Sequence, residues 1–158
     1  MWALDASAII HAWDNYPESQ FPGMWSWIDG QIFVGNVSIP SVALDEVHRN
    51  SPECGNWISA KNIHLLHPTT GILLRASALK DMLGIVGDQY GAGVGENDLI
   101  IIATAEHHAA DLITNEKIQL DLPKNLKSYR IPAVCSLKSP KTRCVDFLGY
   151  IRQSGAKF

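Results

Sequence analysis

The sequence is short of several things at once. It has three cysteines, Cys54, Cys135 and Cys144, among 158 residues. Three is odd and too few to staple a fold, so a disulfide framework is excluded and a reducing compartment is expected. Charged residues make up only 18%, and there is no basic excess: 13 Lys and Arg against 16 Asp and Glu, a net charge of −3. That balance argues against a protein that coats nucleic acid, which would show a basic footprint. No internal repeat or low-complexity tract is present. The longest largely apolar run, Leu99 to Ala105, falls far short of the roughly 20 residues of a membrane span. The N-terminal stretch has no basic n-region and carries Asp5 where a signal peptide would be apolar. A soluble, cytoplasmic chain with no membrane contact is expected.

What is present is an ordinary globular composition, 46% apolar. A chain of this length predicts one domain over residues 1–158, large enough to bury a core without covalent staples. Trp2-Ala3-Leu4 reads as a short strand, and Ser7 to Tyr16 as a helix with Ser7 at its N-cap. Pro22 opens a helix to Phe33, and Val37 to Pro40 reads as a turn or short extended piece. Ser41 caps the helix that carries Glu46, and Gly55 to Ala60 reads as a short helix. Ile63 to Leu66 is a second strand, and Thr70 to Leu83 a helix. The glycine-rich stretch from Gly84 to Gly95 reads as a mobile loop. Asn97 is a suitable N-cap for a helix to Ala110, with Asp98 in the first turn, where the helix dipole favours negative charge. Asp111 to Thr114 is a third strand, Tyr129 to Cys135 a strand candidate, and Val145 to Gln153 a last helix. Strands separated by helices predict an α/β fold with a parallel sheet.

In such sheets ligands bind beyond the carboxyl ends of the strands. Asp5 ends the first strand, Asp98 opens the helix leading into the third, and Glu116 lies just past that third strand. Glu46 is a fourth acid, on a helix whose face is fixed by Val42 and Val47. Each has a plain structural reading: Asp5 as a cap, Asp98 as a dipole partner, Glu46 and Glu116 as surface acids. Together they say more. Clustered carboxylates raise one another's pKa unless a cation offsets them, and hard divalent cations take carboxylate oxygens.

The segments Leu4-Asp5-Ala6-Ser7-Ala8-Ile9-Ile10, Val42-Ala-Leu-Asp-Glu46-Val47, Asn97-Asp98-Leu-Ile-Ile-Ile-Ala103-Thr-Ala105 and Leu112-Ile-Thr114-Asn115-Glu116 resemble, in order and spacing, the PIN-domain family. Many of its members are VapC-like ribonuclease toxins of toxin–antitoxin pairs. The likeness is greatest to a branch with an aromatic pair after the first helix, here Trp25 and Trp27, and a late Ile131-Pro132-Ala133-Val134-Cys135. It spans nearly the whole chain and implies a three-layer αβα sandwich around a parallel sheet. It also implies Mg²⁺ or Mn²⁺ on Asp5, Glu46, Asp98 and Glu116, where Glu116 stands in for the family's usual Asp. Ser7, Thr114 and Asn97 would support those acids. Metal-activated water would cleave RNA and leave a 5′-phosphate and a 3′-hydroxyl. An antitoxin partner and a homodimer are further implications.

The low net charge hides an asymmetry: residues 1–116 sum to −10 and residues 117–158 to +7. Lys117, Lys124, Lys127 and Arg130 follow directly on Glu116 and are candidate phosphate contacts for single-stranded RNA. Asp111 and the histidines read as structural. A dehalogenase-type phosphatase would need Asp where Ser7 stands, and an Asp-x-Ser-x-Ser adhesion module would need Ser where Ile9 stands. A non-catalytic RNA- or protein-binding module with the same fold is the remaining alternative.

Overall fold

The computed structural model describes all 158 residues. Five short strands, β1 (Trp2–Leu4), β2 (Val37–Pro40), β3 (His64–Leu66), β4 (Asp111–Ile113) and β5 (Cys144–Val145), form one all-parallel sheet in the order β3-β2-β1-β4-β5. Eight helices connect and cover them: α1 (Ala6–Asn15), α2 (Pro22–Phe33), α3 (Ser41–Asn50), α4 (Pro52–Ala60), α5 (Thr70–Met82), α6 (Glu96–His107), α7 (Ile131–Cys135) and α8 (Phe147–Ser154). This is the α/β fold predicted from the sequence.

The strand order explains the sequence pattern. β1 and β2 are interior strands shielded by helices, so they read as continuous apolar runs rather than alternating ones. All four residues of β2 are buried. Connections step outward from β1 to β2 to β3, then reverse across β1 to β4. The reversal opens a crevice between the carboxyl ends of β1 and β4, where Asp5 and Thr114-Asn115-Glu116 emerge. Helix α6 is buried on almost every side (Leu99, Ile101, Ile102, Ala103, Thr104, Ala105), because it packs under α5 and against the sheet. No helix is long and apolar enough to cross a membrane.

Several expectations are corrected. Val37 to Pro40 is a full strand, paired with both β1 and β3. Ser41 is the first residue of α3, and Pro40 holds the cap position. Residues 131–135 are helical rather than extended: Pro132 sits in the first turn, where its missing N–H costs nothing. The fifth strand was not foreseen; two residues offer no periodicity to read.

The end of the Gly84 to Gly95 stretch is tied to the segment before α7, while residues 86–89 are exposed. Val94 N–H donates to Tyr129 O at 2.8 Å. Gly93 lies so close to the Tyr129 carbonyl that a Cβ there would collide with backbone. Trp25 is core, its indole N–H donating to Tyr16 O at 2.6 Å. Trp27, two residues on, turns to the other side and is half-covered by Tyr150 and the C-terminal Phe158.

Candidate functional site

Asp5 follows β1 and occupies the N-cap position of α1, yet its side chain caps nothing. It is turned into the crevice and is only 3% exposed. Its Oδ2 accepts the Ser7 hydroxyl, and the Thr114 hydroxyl at 2.9 Å. Ser7 is therefore not the predicted helix cap. Its Oγ also accepts the Asn115 N–H at 2.9 Å, joining the start of α1 to the end of β4. Asn115 carries the chain onward, its Oδ1 accepting the N–H of Phe147 at 3.4 Å at the start of α8.

Asp98 is held differently. The N-cap of α6 is Gly95, two residues before the predicted Asn97, and the helix runs from Glu96 to His107. Asp98 then falls at N3, and its Oδ2 accepts the Gly95 N–H at 2.7 Å, half of a capping box. Asn97 is neither the cap nor a partner of the acids; its side chain makes no hydrogen bond to any of them. Glu116 lies past β4, with its Oε2 accepting the Ile131 N–H at 2.8 Å. That bond satisfies an orphan donor in the first turn of α7. Glu46, on α3, makes no hydrogen bond or ion pair and is positioned by its helix alone, which is anchored by buried Ala43 and Val47.

Glu46, Asp98 and Glu116 each feel the charge of Asp5. Burial raises the pKa of Asp5 against the lowering effect of Ser7 and Thr114. Burial also raises Glu46, with the charges of Asp5 and Asp98 adding to it and Arg49 opposing them. Asp98 is raised by burial and by Asp5, opposed by the Gly95 N–H. Glu116 is pushed up to about 7, first by burial and then by Asp98 and Asp5, while the Ile131 N–H and Arg130 oppose the rise. None of the four forms a salt bridge.

Four partly desolvated carboxylates with no paired cation are the donor set a hard divalent ion takes. The hydrogen bonds orient Asp5, Asp98 and Glu116 through one oxygen each and leave Asp98 Oδ1 and Glu116 Oε1 without a protein donor. The residues fit Mg²⁺ or Mn²⁺. As placed, no three His, Cys, Asp or Glu side chains already stand in a metal-binding arrangement. Closing the site on an ion therefore requires the side chains to draw together.

A cleft of about 680 Å³ opens at Glu116, lined among others by Thr114, Lys117, Leu120, Ala133 and Cys144; Asp5, Glu46 and Asp98 do not line it. Of the four predicted phosphate contacts, Lys117 borders this cleft and Arg130 is close enough to influence Glu116. The main-chain carbonyl of Lys127 lies against Gly91. Lys124 lies in a separate hollow with Met82, Leu83 and Gly84, away from the acids. Asp111 is structural, paired with Arg143 at 2.5 Å. Three partners escaped the sequence reading: Asn115, Gly95 and the backbone of Ile131. All three act through main-chain N–H groups, which carry no residue signature.

Residues 2–158 match the family described as a domain of unknown function, DUF4411, and the chain belongs to that family. Its fold is similar to a chain of VapBC2 from Rickettsia felis, crystallised bound to a DNA fragment from its promoter. The TM-score is 0.54 at 16% identity, covering 92% of this chain and 97% of that one. It is also similar to a chain of DNA-bound VapBC from Salmonella typhimurium, with a TM-score of 0.56, 19% identity and the same coverages, 92% and 97%. No curated protein matches the sequence. At these identities the likeness speaks for the fold, and that fold is the one the PIN-domain resemblance implies.

Proposed function

We propose that this chain is a Mg²⁺- or Mn²⁺-dependent endoribonuclease and the toxin of a toxin–antitoxin pair. One observation carries the reading: Asp5, Glu46, Asp98 and Glu116 converge at the switch point of the sheet, each raised and none paired with a basic side chain. A protein that keeps four such acids together gives up stability unless a cation joins them. A bound divalent ion would supply a hydroxide nucleophile at neutral pH and neutralise charge on the phosphodiester. Asp5, Glu46, Asp98 and Glu116 would hold it, while Ser7 and Thr114 keep Asp5 in a single orientation. Lys117 and Arg130 would meet neighbouring phosphates.

The resemblance to VapBC structures supports an antitoxin partner, and the family likeness supports a homodimer and a cytoplasmic setting. The experiment is cleavage of mixed RNAs with Mn²⁺, with EDTA, and with Asp98→Asn. Cleavage only by the unsubstituted chain with metal supports the reading; EDTA-resistant cleavage, or none at all, sinks it. A second reading, a non-catalytic RNA- or protein-binding module, draws on the Glu116–Ile131 bond, which commits an oxygen of the fourth acid to the protein. Mn²⁺ separates the two: a metal-binding site raises the melting temperature with ion concentration.

A further inference from the structure

At the amino ends of the strands, the opposite end of the sheet from Asp5, lies a hollow of about 290 Å³. Trp2 of β1, Trp27 and Gln31 of α2, and Tyr150 of α8 line it, together with Asn36 just before β2. The Trp2 N–H donates to Asn36 O at 2.8 Å and joins two of these walls. The volume is at the lower end of the range for small-ligand pockets, which suits a single ring system. None of the four acids borders it.

Three aromatic rings meet there. Tyr150 is only 4% exposed and touches both indoles: its ring centre lies 5.1 Å from that of Trp2 at 61° and 5.2 Å from that of Trp27 at 34°. Trp2 and Trp27 are half-buried, so part of each indole stays open. The Tyr150 hydroxyl is one of two buried side-chain polar atoms in the molecule with no hydrogen-bond partner, the other being Thr142 Oγ1. An unpaired buried hydroxyl costs stability and calls for an explanation.

The amides of Gln31 and Asn36 hold a second unsatisfied pair. Gln31 Oε1 accepts from Asn36 Nδ2 at 3.1 Å, which leaves the Gln31 amide N–H groups and Asn36 Oδ1 free. Turning both amides over gives the same outcome, one free N–H donor beside one free oxygen acceptor.

These groups narrow the guest. No carboxylate lines the hollow, and the Arg143 guanidinium stands 5.5 Å from the Trp2 ring centre, so a cation is disfavoured. A purely apolar guest would leave the amides and the Tyr150 hydroxyl unpaired. A flat heteroaromatic ring with a donor beside an acceptor satisfies both the rings and the amides. Adenine sets its N6–H donor beside the N7 acceptor, the edge that side-chain amides pair with, whereas guanine shows two acceptors there.

We propose that this hollow is an adenine-binding site, filled by a free adenine nucleotide or by an adenine of single-stranded RNA. The base stacks on the open faces of Trp2 and Trp27. Asn36 Oδ1 accepts the N6–H, the Gln31 amide donates to a ring nitrogen, and another ring nitrogen supplies the acceptor that the Tyr150 hydroxyl lacks. The site lies at the opposite end of the sheet from the acids and does not depend on the nuclease reading.

Calorimetric titration of the full chain tests it, in EDTA so that no divalent ion sits on the acids. Adenosine monophosphate should bind saturably, and ribose phosphate, which lacks the base, should not. Guanosine monophosphate should bind about tenfold more weakly. Trp27→Ala should weaken adenosine monophosphate about tenfold by removing a stacking face. Tyr150→Phe keeps the packed ring and removes only the hydroxyl, and should weaken it about fivefold. A short oligoadenylate separates the two sources. Binding tighter than the mononucleotide that Trp27→Ala also weakens assigns the site to RNA; any other result assigns it to the free nucleotide. No saturable binding of either ligand, equal binding of ribose phosphate, or full affinity in both variants overturns the proposal. Guanosine monophosphate binding as tightly as its adenosine counterpart overturns the choice of adenine.

Discussion

Acidic side chains in this molecule live in two opposite environments. At the switch point, Asp5, Glu46, Asp98 and Glu116 are desolvated, the charge of Asp5 bears on the other three, and none of them forms a salt bridge. At the far end of α6, Glu106 takes a bidentate grip from Arg75 at 2.6 and 3.0 Å and the Lys141 N–H at 3.2 Å. Arg75 also donates to Ser139 at 2.5 Å. The Arg75 guanidinium lowers the Glu106 pKa, while burial raises all four switch-point acids. One helix thus carries Asp98 at its start and Glu106 near its end, with opposite electrostatics. Glu106 stabilises the fold, whereas burial of the switch-point acids costs it stability.

The largest effect that sharpens this contrast is on chemistry. Asp5→Asn or Asp98→Asn should reduce RNA cleavage by on the order of 100-fold or more. The same changes relieve repulsion, so the metal-free melting temperature should hold or rise, by about 2–4 °C for each kcal/mol. A substitution that lost activity by unfolding the chain would erase the distinction, and calorimetry on the same samples detects it.

The reverse experiment is Glu106→Gln. It should leave cleavage unchanged and cost about 1–2 kcal/mol, a fall of roughly 4 °C. Solvent reaches both partners, with side-chain exposures of 35% for Arg75 and 22% for Glu106, and screening keeps the loss modest.

Titration should separate the two regions by sign. Glu116 is raised to about 7, so the folded state binds its proton more tightly than the unfolded chain. Its favourable contribution is present at low pH and fades as pH climbs through the range up to about 7. Glu106 is lowered, so its contribution is present at neutral pH and fades as pH drops below its unfolded value. Melting of the metal-free chain from pH 4 to 8 should show both limbs. Glu116→Gln should flatten the upper one, and Mn²⁺ should suppress it.

The smallest effect concerns the basic segment. Lys117→Ala should weaken RNA binding a few-fold and lower the salt slope by about 0.7. Lys124→Ala, in its separate hollow, should change neither.

Much of the fold was legible because strands such as β1 and β3 are short apolar runs closed by punctuating residues, Leu4 before Asp5 and Leu65-Leu66 before Pro68; β2, at four residues ending in a proline, read only as a turn or short extended piece. Residues 131–135 read as extended because Val134 and Ile131 are β-branched, while the helix there is supported by a tertiary contact: Glu116 accepts the Ile131 N–H in its first turn. The acids were legible as a set because an α/β sheet presents its strand ends to ligand, and their convergence follows from strand order. What holds them was not. Ser7 looks like a helix cap until Asp5 and Thr114 claim it, and Gly95 reaches Asp98 only through its backbone.

The most direct measurement is Mn²⁺-dependent cleavage of RNA by the full chain beside Asp98→Asn. The account predicts cleavage that EDTA abolishes and that Asp98→Asn loses while remaining folded. Equal cleavage by both chains, or cleavage that survives EDTA, would contradict it.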